Sequence, residues 1–501
     1  MLRSLLAFTA LLFINEISFA QINIREGVVL EVEKGAEFDR VIGSDNKNFF
    51  VYRVKTKGSG THYFVEKYDK KTLDLVISTD LKLEDFPMAN LDPRMTGTWT
   101  IMGEDKVYVF FPVYAKKDQR KIFVLRAISK NGQLDNFKEV DSSPERTADF
   151  YVKTTPDSTK FLIINELQMP GKAQDVKITL YNASDFSKIW TKSLPDGYKE
   201  SGIRSSSYVV NNEGAVAFYF YYMKNFENEE VGGAISIMAK DEDQATAIDM
   251  DLPKPREPYL LVMKFTNNNE LACAGIFRDN PKKAAKDKTV RNAGVFYYFV
   301  NVAEMSLTSS GNSYFPEEVA QQLTYKGPEG NTPGEKYYSS SQLEMVNGNY
   351  YLLTEHGYNY TDGSLYRKEI VVSKINNTEG KVEWTRLLQK SSANKSGLYN
   401  LLSHGDKLYI FCLEHPDAEK KLLAGKTFKP GDYPVASGIS GPNVLAYEIN
   451  EVGSVKRHII HKNEGFCYEP QYQDITMQPG NDLLIYMKQG GKEKFGTINV
   501  K

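Results

Sequence analysis

Asn347-Gly348 runs straight into Tyr350-Tyr351-Leu352-Leu353. Further on come Ile370-Val371-Val372-Ser373-Lys374-Ile375-Asn376 and then Lys381-Val382-Glu383-Trp384-Thr385-Arg386-Leu387. This stretch holds a tight polar turn, two apolar strands and a third, more polar one. Asn and Gly tolerate the positive φ of a two-residue hairpin at least cost, so the turn must join its apolar strand to a partner just before it. The turn recurs along the chain. Its other copies are Asp45-Asn46-Lys47 before Phe49, Glu104-Asp105-Lys106 before Val107, Pro156-Asp157-Ser158 before Phe161, Asn212-Glu213-Gly214 before Ala215, Asn268-Asn269 before Leu271, Gly405-Asp406 before Leu408, and Gly480-Asn481 before Leu483. Third strands follow, as at 64–69, 122–126, 178–182 and 444–450, and polar fourth strands, as at 188–194. Tyr, Phe, Val and Ile cluster in short runs read as alternating, and amphipathic stretches of helical period are nearly absent. Units of four strands in meander are the pattern of propeller blades. The fold class predicted is therefore all-β: a single β-propeller of eight four-stranded blades, or seven if the irregular segment 270–316 is not a blade. The last unit ends after three strands at Val500, and residues 27–33 lack any other partner, so they are expected to complete it and close the ring.

Asn182 to Trp190 and Asn376 to Trp384 set a tryptophan at the same distance beyond the residue that opens each turn. These two stretches resemble the tryptophan-docking repeat of quinoprotein-like propellers, which are eight-bladed. The resemblance covers two units, and what it implies is the fold; no cofactor is expected from it.

Residues 1–20 read as a signal peptide: Arg3, an apolar run from Leu5 to Ile14, and the small residues Ser18 and Ala20 before a break at Gln21. That run is shorter than the roughly 20 apolar residues a membrane-spanning helix needs, and no transmembrane segment is expected after it. The expectation is an exported protein, periplasmic or extracellular, whose residues 21–501 form the propeller domain. With 62 basic and 64 acidic side chains the net charge is −2, too weak a field to attract nucleic acid. Cys273, Cys412 and Cys467 are too few to staple the chain. A bridge between Cys412 and Cys467 is conceivable from their strand positions, and buried free thiols are the simpler expectation.

Catalytic signatures are missing: there is no Gly-x-Ser-x-Gly elbow and no His-Glu-x-x-His pair, and Gly425-Lys426-Thr427 has a lysine, Lys420, where a phosphate-binding loop needs its first glycine. The long insertions fall between units, at 84–97 and 317–341, and between second and third strands, at 225–233, 278–292, 357–367 and 416–442. In a meander both classes emerge on one side of the disc, so that loop-rich face is expected to do the binding. Its candidate residues are Glu355-His356 and Glu414-His415, read as matching strand ends in units six and seven, Glu166 in unit three, and the aromatics Tyr358 and Tyr360. His and carboxylate are ligand types a divalent ion accepts. Consecutive strand residues point to opposite sides, however, so hydrogen-bonding roles are expected and no metal. Lys282, Lys283, Lys286, Lys288 and Arg291 crowd one insertion and Lys420, Lys421, Lys426 and Lys429 another, with Glu227, Glu229 and Glu230 on a third to offset them. The functional expectation is a non-catalytic binding or scaffold propeller with a protein or glycan partner. The alternative is an extracytoplasmic propeller enzyme, a hydrolase or lyase acting on glycans.

Overall fold

In the computed structural model, Asn347 and Gly348 both take the left-handed backbone, with φ of 48° and 74°. Elsewhere the same reversal is held by a side chain. Asp45 Oδ1 accepts from the backbone N–H of Lys47 and Asn48 at 2.9 and 2.8 Å, and Asn211 Oδ1 from those of Gly214 and Ala215 at 2.9 and 2.8 Å. Positive φ therefore accounts for only some of the turns, and Asx geometry for others. The structure describes residues 22–501 apart from 58–59, 87–97, 116–118, 145–147, 168–174, 194–203, 226–229, 243–244, 251, 255, 268, 280–292, 324–335, 360–364, 391–398, 425–442, 462–465, 470–475 and 478–481.

The strands assemble into eight antiparallel sheets. Seven are sequential meanders: blade 1 (36–80), blade 2 (99–143), blade 3 (148–193), blade 4 (204–249), blade 5 (256–314), blade 6 (336–389) and blade 7 (400–461). Each has strands A to D in chain order. The A strands of neighbouring blades approach one another around the axis. Segment 270–316 thus belongs to a complete blade, supplying Glu270–Asp279, Ala293–Asn301 and Ser306–Tyr314 as its strands B to D behind strand A at Arg256–Asn267, which settles eight over seven. Blade 8 takes strands from 467–500 at the C-terminal end and its outer strand from the N-terminal end, so the ring is closed by pairing between the two ends. The closing residues differ from those expected. Ile22–Glu26 makes the main ladder, Ile22 opposite Val500 and Glu26 opposite Gly496. Within 27–33 the ladder resumes at Leu30–Glu31 after a one-residue shift of register, with Gly27 and Val32 donating to Phe495 O and Gly491 O at 2.8 Å each. The reason is packing: Ile22 and Ile24 lie on the cluster between blades 7 and 8, whereas Val28 and Val29 are 50% and 49% exposed.

The core consists of eight apolar clusters, one for each interface between neighbouring blades. A blade is therefore buried on both faces, and its inner strands are apolar in continuous runs and not in alternation; Val107–Val113 in blade 2 is buried throughout. Ring stacking fills the interfaces, as where Phe123 lies over Phe150 at 4.7 Å between blades 2 and 3.

Polar side chains fasten several blades to the carbonyls of the next blade's C–D turn. Lys67 Nζ donates to Lys130 O at 3.1 Å, Lys192 Nζ to Ala239 O and Lys240 O at 2.8 Å each, and Arg386 Nε to Gly453 O at 2.9 Å. Arg25 of the closing strand donates to Lys71 O and Lys70 O at 2.7 and 2.8 Å, carrying the same fastening across the seam. Trp384 makes a contact of the same kind. Its indole N–H donates to Glu451 O at 3.1 Å, and its ring lies on Gly453, where a Cβ would come within 2.9 Å of it.

The B–C and D–A connections leave from one face, the A–B and C–D turns from the other. On the first, the span between strands reaches 415–442 in blade 7 and 315–335 between blades 5 and 6; on the second the longest is 130–137. Two of the expected insertions are shorter than read: strands continue through Asn225 and from Glu230 in blade 4, and through Asn359 and from Leu365 in blade 6. Short helices at Glu317–Leu323 and Pro416–Leu423 occupy parts of two others. No helix among the described residues is long and apolar enough to cross a membrane.

Candidate functional site

Alternation along strand B decides where each candidate residue points. In blade 6, Tyr350 and Leu352 lie in the cluster shared with blade 5, while Tyr351 and Leu353 lie in the one shared with blade 7. Glu355 continues the second series and His356 the first. In blade 7, Leu408, Ile410 and Cys412 face blade 6, and Glu414 continues that series. The two carboxylates thus converge on one interface from opposite walls. They are not repeat equivalents, because counting from the turns sets His356 level with Glu414.

Both carboxylates are fully buried and ion-paired. Glu355 meets Lys390, the residue that follows strand D of blade 6, and both are at most 1% exposed. Glu414 takes Arg457 of blade 7 in a two-pronged contact, one arm from Nε to Oε1 at 3.1 Å. Burial pulls the Lys390 pKa down to about 7, with Cys412 acting weakly against it. Between the two pairs Cys412 is a free, buried thiol, pushed up to about 12 by burial. It makes no bridge to Cys467. Tyr447 donates to Gln389 O at 2.6 Å across the same interface. The assembly clamps the loop-side ends of blades 6 and 7 and the root of the connection between them.

The other candidates sit apart from it. His356 Nδ1 lies 3.2 Å from Glu369 Oε2, on the blade 5 side. Glu166 faces blade 4, where Tyr208 donates to it, and burial raises its pKa. His415 accepts the backbone N–H of Asp417 at 3.0 Å, at the start of the helix Pro416–Leu423. Tyr358 lies in strand Asn349–Asn359, and Tyr360 lies outside the described residues. Among the described residues no three His, Cys, Asp or Glu side chains gather as metal ligands would. Sequence reasoning missed Lys390 and Arg457, for which no motif exists. It also missed a cavity of about 1040 Å³ on the opposite face, formed by turns of blades 1 to 3, with Ser44, Thr100, Glu104, Lys130, Asp157 and Lys160 in its wall. Those turns had been read only as hairpin punctuation.

No family model matches the chain, and no curated protein matches it either. Among solved structures it is similar to the β-propeller domain of the Trilobed protease from Pyrococcus furiosus, at 7% identity and a TM-score of 0.39 over 86% of this chain and 97% of that one. It is also similar to polysaccharide lyase Uly1, at 10% identity and a TM-score of 0.41 over 82% and 89%. Oligopeptidase B from Leishmania major aligns at 8% identity and a TM-score of 0.40 over 84% of this chain, which spans 46% of that protein. At such identities and scores the case for a propeller stands on the sheet topology, and these neighbours carry nothing about activity.

Proposed function

We propose that the chain acts outside the cytoplasm, after removal of residues 1–20, as a non-catalytic binding or scaffold propeller whose loop-rich face engages a protein or glycan. The observation that carries this reading is the asymmetry of the disc. Connections of up to 415–442 leave one face, and the strand ends beneath them are fixed by buried ion pairs such as Glu355–Lys390 and Glu414–Arg457. A rigid rim under long, polar connections is how a scaffold presents a binding surface. Export is supported by the leader pattern, and cleavage before Gln21 would leave the closing strand Ile22–Glu26 intact.

The test must spare the buried pairs, since alanine at Glu355, His356 or Glu414 would strand their partners inside the protein. One variant replaces residues 425–442 by a short Gly-Ser linker, and another changes the exposed turn-face residues Glu104 and Ser158 to alanine. Cross-linking in envelope and secreted fractions, with the linked residues mapped, should find a partner on the loop-rich face that the first variant loses and the second keeps. Loss only in the second would assign binding to the opposite face and end this reading.

A further inference from the structure

Turns of blades 1 to 3 enclose the cavity of about 1040 Å³ on the face opposite the long connections. Its volume lies at the upper end of the roughly 300–1,000 Å³ of ligand clefts. The turns are tied to one another. Lys130 of blade 2 lies 3.6 Å from Asp45 of blade 1, and Tyr108 of blade 2 donates to Ala183 O in the C–D turn of blade 3 at 2.5 Å. In the A–B turn of blade 3, Asp157 Oδ1 accepts from Thr155 Oγ1 at 2.6 Å and from the Thr159 N–H at 3.0 Å. The Asp157 N–H and Lys160 Nζ reach on to Asn212 of blade 4, at 3.0 and 2.8 Å. Walls fixed in this way before a ligand arrives spare it the cost of ordering them.

The polar groups that this frame leaves unused are mostly of one kind. The hydroxyls of Ser44, Thr100, Thr154, Ser158 and Ser184 and the carboxylate of Glu104 line the cavity, and their side chains make no hydrogen bond among the described residues. Ser44 and Thr100 are half-buried and the other four exposed. Each hydroxyl both gives and takes a hydrogen bond, whereas a carboxylate only takes. A ligand that satisfies such a wall must itself carry several groups of both capacities. Charge narrows the class further. Lys130 is turned to Asp45 and Lys160 to the carbonyl of Asn212, so neither is free to hold an anionic ligand, and Glu104 repels one. Ile42, Met102 and Pro156 supply an apolar part of the wall, against which the C–H faces of a sugar ring pack.

We propose that the turn-face cavity of blades 1 to 3 is a binding site for a short neutral oligosaccharide, with Glu104 accepting from neighbouring sugar hydroxyls and the Ser and Thr hydroxyls completing the network. It is a second site, apart from the loop-rich face and its partner. The probes are maltotriose, cellotriose, mannotriose and galactotriose, titrated by saturation-transfer NMR into the chain from residue 21, beside a hexuronate trisaccharide and spermidine. At least one neutral trisaccharide should bind, and the hexuronate and spermidine should not. Glu104→Gln should weaken binding about tenfold and Thr100→Val about fivefold, as expected for hydrogen bonds made by a charged and a neutral group. Ser158→Gly, safe for folding because Ser158 has a φ of 58°, should also weaken it about fivefold. Replacing 425–442 by the Gly-Ser linker should leave sugar binding unchanged. Binding of none of the neutral sugars, preference for the hexuronate or spermidine, or indifference to all three substitutions would overturn the cavity site; the loop-face reading would still stand or fall on its own cross-linked partner. Sugar binding lost only with 425–442 would overturn the cavity site and support the loop-rich face instead.

Discussion

Replacing Arg53 by methionine would leave two carboxylates facing each other inside the seam where the ring closes. Arg53, on strand B of blade 1, reaches Glu66 of the same blade through Nε at 2.8 Å and Glu493 of blade 8 through Nη1 at 3.1 Å. The three are 6%, 7% and 2% exposed. Tyr68 donates to Glu66 at 2.7 Å and Tyr486 to Glu493 at 2.9 Å, so each carboxylate would keep one phenol and lose its cation. Burial by itself would lower the Arg53 pKa, but Glu493 and Glu66 hold it above the ordinary arginine value. Removing one partner of a buried pair costs about 3–5 kcal/mol, because the charge left behind has neither water nor counterion. That is a large part of the roughly 5–15 kcal/mol that stabilises a typical domain. Urea unfolding of wild type and Arg53→Met at pH 7 measures the loss directly. The triple variant Arg53→Met, Glu66→Gln, Glu493→Gln should recover most of it, since no buried charge remains. A loss below about 1 kcal/mol, or a triple variant less stable than the single one, would refute the reasoning.

Three further outcomes follow from the same geometry. Gly453→Ala should cost about 1–3 kcal/mol more than Gly490→Ala by urea unfolding: both glycines have positive φ, but only at Gly453 does the new Cβ meet a ring, that of Trp384, at 2.9 Å; equal losses would remove the docking account of Trp384. A chain beginning at Gly27 lacks Ile22–Glu26 and its ladder to strand Lys492–Val500. At about 1 kcal/mol net per backbone hydrogen bond it should lose about 3–5 kcal/mol and associate through the uncovered edge, as seen by light scattering; an unchanged, monomeric truncation would mean the seam holds without that strand. Lys390, depressed by burial from 10.5 to about 7, is protonated more fully in the unfolded chain than in the folded one between those pH values. Wild-type stability should therefore rise with pH across that window, and the double variant Lys390→Met, Glu355→Gln, which leaves no stranded charge, should flatten the rise, which unfolding curves at several pH values would detect.

How far such residues can be read from sequence depends on whether their partners are local. The turn at Asn347-Gly348 is legible because a two-residue reversal makes demands on those two residues alone. The missing fourth strand of blade 8 was legible as a vacancy, but its occupant was not: Val28 and Val29 read as a strand, yet Ile22 and Ile24 are the residues whose spacing meets the blade 7–8 cluster. The candidate site shows the same limit more sharply. Glu355 and Glu414 were aligned by the histidine that follows each, whereas counting from the preceding turns puts them one residue out of step, and in a strand one residue exchanges the two faces. That offset is what lets them approach a single interface from its two walls. Their cations come from Lys390 and Arg457, 35 and 43 residues away, across connections whose lengths follow no rule. Because every blade is buried on both faces, a carboxylate at a loop-side strand end persists in this ring only where a neighbouring strand brings a cation or a donor to it. Pairing is thus required by the architecture, while the identity of the partner is set by register, and register is where one chain read alone stops short.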